Sequence, residues 1–116
     1  DETVLFLKEY RYLDDEAYAG RYIRSCAARK SRRQIRADLE RKGVSREVID
    51  LQLQEEAVDE DSQIRKLLQK KGYEPGKRLE ATEYRRIMGT LGRRGFSGEA
   101  IRRVMESMRE EQEEFF

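Results

Sequence analysis

The 116-residue sequence has no histidine, no tryptophan, one cysteine and one proline, and the shortage of histidine and cysteine closes whole classes of function. Without histidine there is neither a His-based triad nor a His-containing metal site. Cys26 has no imidazole to activate it, so a nucleophilic thiolate pair is excluded. It shares a stripe with Tyr22 and Ile23, which assigns it to a core. A lone cysteine forms no internal disulfide and fits a reducing compartment. No run of 18 apolar residues is present, so nothing reads as a membrane span, and "DETVLFLKEY" lacks the layout of a signal peptide. The acidic pairs Asp14/Asp15, Glu55/Glu56 and Asp59/Glu60 are adjacent rather than four apart, so they do not face one another across a cation. Gly89, Gly92 and Gly95 are not followed by the Lys-Ser/Thr of a phosphate loop. The expectation is a cytoplasmic, monomeric, non-catalytic protein with no metal, no cofactor and no membrane contact.

Charge is what the chain has in quantity. Charged residues make up 42% and hydrophobic ones 37%, too polar for one large core but enough for thin helical modules stacked in series. The net charge of +1 conceals an alternation. Residues 21–42 hold nine basic side chains against two acidic, and residues 65–103 hold twelve against four. Between them, residues 46–61 hold one basic against seven acidic. Such alternation suits a partner of mixed surface chemistry, or nucleic acid touched at separate points.

The chain also repeats itself. "LERKGVSREVID" from Leu39 returns as "LGRRGFSGEAIR" from Leu91, with Arg41/Arg93, Lys42/Arg94, Gly43/Gly95, Ser45/Ser97, Glu47/Glu99 and Ile49/Ile101 all 52 residues apart. Each copy reads as helix, turn, helix. Gly43 and Gly95 supply a left-handed residue after a helix end, and Ser45 and Ser97 cap the next helix. Val44 with Ile49, and Phe96 with Ile101, have the spacing of a hydrophobic staple. Upstream, Asp14 reads as a helix cap with Leu13 and Tyr18 as its staple, and Ala19, Tyr22, Ile23 and Cys26 form the stripe. Ser31 and Gln34 have capping-box spacing. The first module thus contains helices at about 15–29, 32–42 and 46–56. A second follows with Ile64, Leu67 and Leu68, then Tyr84, Ile87, Met88 and Leu91, then Ile101, Val104, Met105 and Met108. "GYEPGKR" marks an insertion of about seven residues between its first two helices. The predicted organisation is one leftover helix in 1–12, three-helix repeats in 13–57 and 58–110, and an acidic flexible tail in 111–116. The fold class is all-α, tandem three-helix bundles in an elongated right-handed or curved array.

The basic residues hold the candidate function. Cations at Arg41, Lys42, Arg93 and Arg94 are explained in part by the dipole at a helix C-terminus. Arg33, Arg36, Arg85 and Arg86, read as early in the second helix of each module, are not. Arg24, Arg29, Lys30 and Arg32 extend the cluster around the joint of helices one and two. A DNA-reading helix after "RKGVS" fits poorly. That helix carries Arg46 against Glu47, Asp50, Glu55 and Glu56, and phosphates would repel it.

"YLDDEAYAGRYIRS", "IRADLERKGVSREVI" and "LGRRGFSGEAI" together resemble the bacterial regulatory protein RecX family, modulators of the RecA recombinase. The similarity runs from about Thr3 to Met108. It implies an all-helical protein of tandem three-helix repeats that binds the recombinase filament on DNA and inhibits recombination and ATP hydrolysis. Leu13, Asp14, Asp15, Tyr18, Ala19 and Tyr22 match the start of the middle repeat, and Gly43, Arg94, Gly95 and Phe96 match the helix-turn positions. These are read as structural signatures, and Arg24, Arg29, Lys30, Arg32, Arg33, Arg36, Arg85, Arg86, Arg93 and Arg94 as contacts for the filament or for single- or double-stranded DNA. A family member has three repeats, and only the last helix of the first is expected here. Lys30 and Ser31 stand where many relatives carry a glycine. The alternative is a general nucleic-acid-binding helical module that uses only a basic face.

Overall fold

The computed structural model describes the backbone of residues 2–115 and the side chains of residues 14–114. The order is α1 (Glu2–Cys26), α2 (Arg32–Arg41), α3 (Arg46–Glu55), α4 (Glu60–Lys70), α5 (Ala81–Arg93) and α6 (Gly98–Phe115). They form two compact all-α units, Asp1–Val58 and Asp59–Phe116, each with its own core.

The predicted stops and caps carry the local structure. The backbone N–H of Gln34 donates to Ser31 Oγ at 3.2 Å, and the Ser31 N–H donates to Gln34 Oε1 at 3.2 Å, closing the capping box of α2. Ser45 Oγ accepts from the Val48 N–H at 3.3 Å and Ser97 Oγ from the Ala100 N–H at 3.1 Å. Gly43 has φ +86° and Gly95 +99°, the left-handed values that an L side chain resists. With them come paired bonds: Val44 N–H to Leu39 O at 3.0 Å with Gly43 N–H to Glu40 O, and Phe96 N–H to Leu91 O at 3.3 Å with Gly95 N–H to Gly92 O. A third copy ends α4. Gly72 has φ +79°, and the Tyr73 N–H donates to Leu68 O at 3.0 Å. Gly72, expected only to punctuate a loop, is a helix stop of the same construction.

The cores follow the stripes. In the first unit Ala19, Ile23 and Cys26 of α1 meet Ile35 and Leu39 of α2 and Val48, Ile49 and Leu53 of α3. Both staple residues, Val44 and Ile49, are buried there. In the second, Ile64 and Leu68, Ile87 and Leu91, and Ile101, Val104, Met105 and Met108 close around Phe96. Full burial of side chains of this size contributes roughly 1.5–3 kcal/mol each. Gly20 lets α1 approach α3, since a Cβ there would lie 3.0 Å from Gln52 Oε1.

Three boundaries differ from the sequence expectation. α1 is one helix through residues 12–14, so Asp14 is not a cap and no break separates a leftover helix from the first repeat. No Gly or Pro interrupts residues 2–19, and nothing there stops a helix already running. The Leu13–Tyr18 staple lies outside the described side chains because of Leu13. α1 ends at Cys26 rather than residue 29, where the Arg29 and Lys30 N–H groups both turn back to Cys26 O. α5 begins at Ala81, so Arg85 lies as deep in it as Arg36 lies in α2, one turn from the start. Finally, α6 continues to Phe115 where a flexible tail was expected. Residues 109–115 are helix-compatible throughout, and Arg65 holds Glu111 by two bonds of 2.8 Å each.

Candidate nucleic-acid and partner interface

The ten candidate cations fall into two groups once their partners are known. In the first unit most of the candidate cations are paired within the unit, although the side chains of several stay exposed. Arg24 pairs with Glu56 across α1 and α3. Arg32 Nη1 donates to the Leu53 carbonyl at 2.9 Å, so a cation at the start of α2 meets the C-terminal turn of α3. Arg36 pairs with Asp50 of α3 at 2.5 Å. Arg29 and Arg33 are exposed and make no ion pair with a described residue.

Lys30 belongs to a network that the sequence reading did not anticipate. Its Nζ donates to Asp38 Oδ2 at 2.6 Å and to Tyr22 Oη at 3.1 Å. The Tyr22 hydroxyl donates to the same carboxylate oxygen, and Arg41 donates to Asp38 Oδ1. Lys30 and Lys42 each place an ammonium 5.6 Å from the centre of the Tyr22 ring, which stacks on Tyr18 at 6.4 Å. The Asp38 side chain is 13% exposed, so these donors meet a carboxylate largely removed from water. Hydrogen bonds from Lys30 and then Tyr22 hold Asp38 below the usual carboxylate range. The bond to Asp38 likewise pushes Lys30 up, and burial, followed by Asp38, raises Tyr22. The network pins the end of α1 to α2. Burial raises the Cys26 thiol too, and its Sγ donates to Tyr22 O at 3.1 Å, which suits a packed rather than a reactive cysteine.

The second unit is different. Arg85, Arg86 and Arg93 on α5 are exposed and make no ion pair with a described residue. Arg94 is exposed at the C-cap of α5, where its N–H bonds to Leu91 O. Two ion pairs between elements in this unit lie elsewhere, Arg65–Glu111 at 2.8 Å and Arg103–Asp61 at 2.9 Å, both joining α4 to α6. The sequence-predicted residues are therefore not one equivalent set. Those around α2 are mostly engaged within their unit, while Arg85, Arg86 and Arg93 are available to a partner. No group of His, Cys, Asp and Glu among the described residues could hold a metal ion, and no described helix is long and apolar enough to cross a membrane.

Both units match known sequence families in the order in which they occur. Residues 14–51 match the second three-helix domain of RecX, and residues 59–105 match the third. The regulatory protein RecX of Geobacillus kaustophilus (strain HTA426) is 35% identical over 108 residues, covering 90% of this chain and 40% of that protein. That of Geobacillus sp. (strain WCH70) is 32% identical over 117 residues, covering 98% and 43%. That of Clostridium perfringens (strain 13 / Type A) is 38% identical over 84 residues, covering 72% and 39%. The chain thus spans about two-fifths of the length of these curated relatives. No solved structure matches it significantly. Two three-helix units, matched in sequence and in order, place this chain in the RecX family.

Proposed function

We propose that the chain binds the RecA recombinase filament on DNA and restrains it, lowering recombination and ATP turnover and so tempering the DNA-damage response, without chemistry of its own. The observation that carries this reading is the consecutive match to the second and third three-helix domains of RecX. The charge layout supports it. A filament presents phosphate beside acidic and basic protein, and this chain offers uncompensated arginines on α5 together with an acidic stretch over 46–61. The acidic α3 also argues against reading bases by a helix-turn-helix, because Glu47 and Glu55 are exposed and would meet phosphate with like charge.

The test is a titration of RecA's DNA-dependent ATP hydrolysis with purified chain. Inhibition should rise with the chain's molar ratio to filament, while the chain alone releases no phosphate from ATP. Unchanged hydrolysis at saturating chain would refute filament regulation. If bare DNA alone competes the chain away from filament completely, the general nucleic-acid module is the better reading.

A further inference from the structure

We infer that the second unit carries the phosphate-binding site, built by the α4–α5 loop and α5, and that the corresponding basic residues of the first unit, Arg29 and Arg33 excepted, are scaffold. This rests on the proposed function and assigns its nucleic-acid contact to one place. The ligand class is the phosphodiester backbone of DNA.

Three observations converge. The first is the accounting of partners. Residues 27–42 hold seven basic side chains, of which Lys30 and Arg41 bind Asp38, Arg36 binds Asp50, Arg32 binds the Leu53 carbonyl and Lys42 lies over Tyr22. Residues 70–94 hold eight basic side chains against three acidic, net +5. Here the side chains of Lys71, Arg78, Arg85 and Arg86 are exposed and form no ion pair with a described residue. A cation already paired with a carboxylate must give up that partner to meet a phosphate, whereas an unpaired one gives up only water and counterions.

The second is shape. Lys71, Lys77, Arg78 and Arg86 line a cleft of ≈ 570 Å³ between the end of α4, the loop and α5, with Tyr73 and Leu79 as apolar wall. Glu74, Glu80 and Glu83 also border it, and Lys77 contacts Glu74 at 3.1 Å, both of them exposed. The third is that the loop is built rather than loose. Its start is fixed by the Tyr73–Leu68 backbone bond. Gly76, at φ +84°, turns so close to α6 that a Cβ there would lie 3.1 Å from Gln112 Oε1. The α1–α2 connection is only residues 27–31, so the first unit has no counterpart to this ten-residue loop of 71–80. Duplication followed by an insertion of cations on one copy would separate scaffold from contact in this way.

The experiment compares the full chain with two variants, K71A/R78A/R86A and R33A/R36A, by anisotropy of labelled DNA across a salt series, with helicity checked by circular dichroism. Single-stranded and duplex arms distinguish the source of the phosphate. Loss of three contacts should reduce the slope of log affinity against log salt by about 2 on single strands and about 2.7 on duplex. Between 1 M and 0.1 M salt, the single-strand figure amounts to roughly a hundredfold weaker binding. The R33A/R36A slope should stay within about 0.7 of the parent, one contact at most. Equal or greater loss in R33A/R36A, or a folded K71A/R78A/R86A with the parent slope, overturns the assignment alone. Failure of the parent chain to bind either DNA or the filament overturns the proposed function with it. Competition by polyglutamate as effective as by DNA would overturn phosphate recognition.

Discussion

Gly43 offers a test in which the backbone is the only variable. Its φ is +86°, and a Cβ built there meets no atom within 4 Å, so replacement by Ala introduces strain without a clash. The left-handed conformation costs an L residue roughly 1–2 kcal/mol relative to glycine. Gly89, in the interior of α5, is the built-in contrast. It has no positive φ, and its Cβ would sit 3.6 Å from Arg93 Nη1, an ordinary contact. Ala should therefore stabilise at that position by about 0.5–1 kcal/mol, through lower backbone entropy in the unfolded chain. The first unit, Asp1–Val58, is 58 residues long, and about 1 kcal/mol moves the midpoint of a domain near that size by about 4–8 °C. Calorimetry of G43A and G89A should give shifts of opposite sign, downward for the first and upward for the second. Equal shifts, or an unchanged G43A, would refute the left-handed helix stop that both repeats share.

Two further perturbations follow from named contacts. Asp38 is held below its ordinary value of 3.8, so its contribution is complete above that value and is lost as pH falls through the folded-state value. D38N should be less stable than the parent in urea at pH 7, with the gap closing well below pH 3.8; a gap of constant size would show that Asp38 acts by packing alone. R65A, which removes both bonds to Glu111, should leave the melting midpoint nearly unchanged, because exposed ion pairs contribute little. It should nevertheless speed hydrogen exchange at residues 111–114, and parent-like protection there would mean that α6 continues without Arg65.

Helix ends and cores were legible because their signals are local. Ser31 and Gln34 sit three apart, Gly43 and Gly95 follow the last apolar turn, and Ile35/Leu39 or Ile87/Leu91 mark a face by spacing alone. The charge partners were not legible, because they come from other elements. Tyr22 and Asp38 are 16 residues apart, Arg65 and Glu111 are 46 apart, and the acceptor for Arg32 is a backbone carbonyl with no signature in sequence. The same limit explains the candidate site. Arg33/Arg85 and Arg36 with Arg86 looked equivalent by position, and only the placement of Asp50 and Asp38 shows how much of the α2 cluster is already engaged. Asp14 misled for a related reason: "LDDE" suits the first turn of a helix and equally the middle of one that started earlier.

The proposed function requires this chain to recognise the recombinase filament rather than DNA alone. Its most direct test is the affinity for one labelled single strand, measured bare and then coated with RecA and a non-hydrolysable ATP analogue at the same salt concentration. Binding to the coated strand should be at least tenfold tighter, a difference of about 1.4 kcal/mol. Equal affinity for the two, or weaker binding once RecA covers the phosphates, would contradict it.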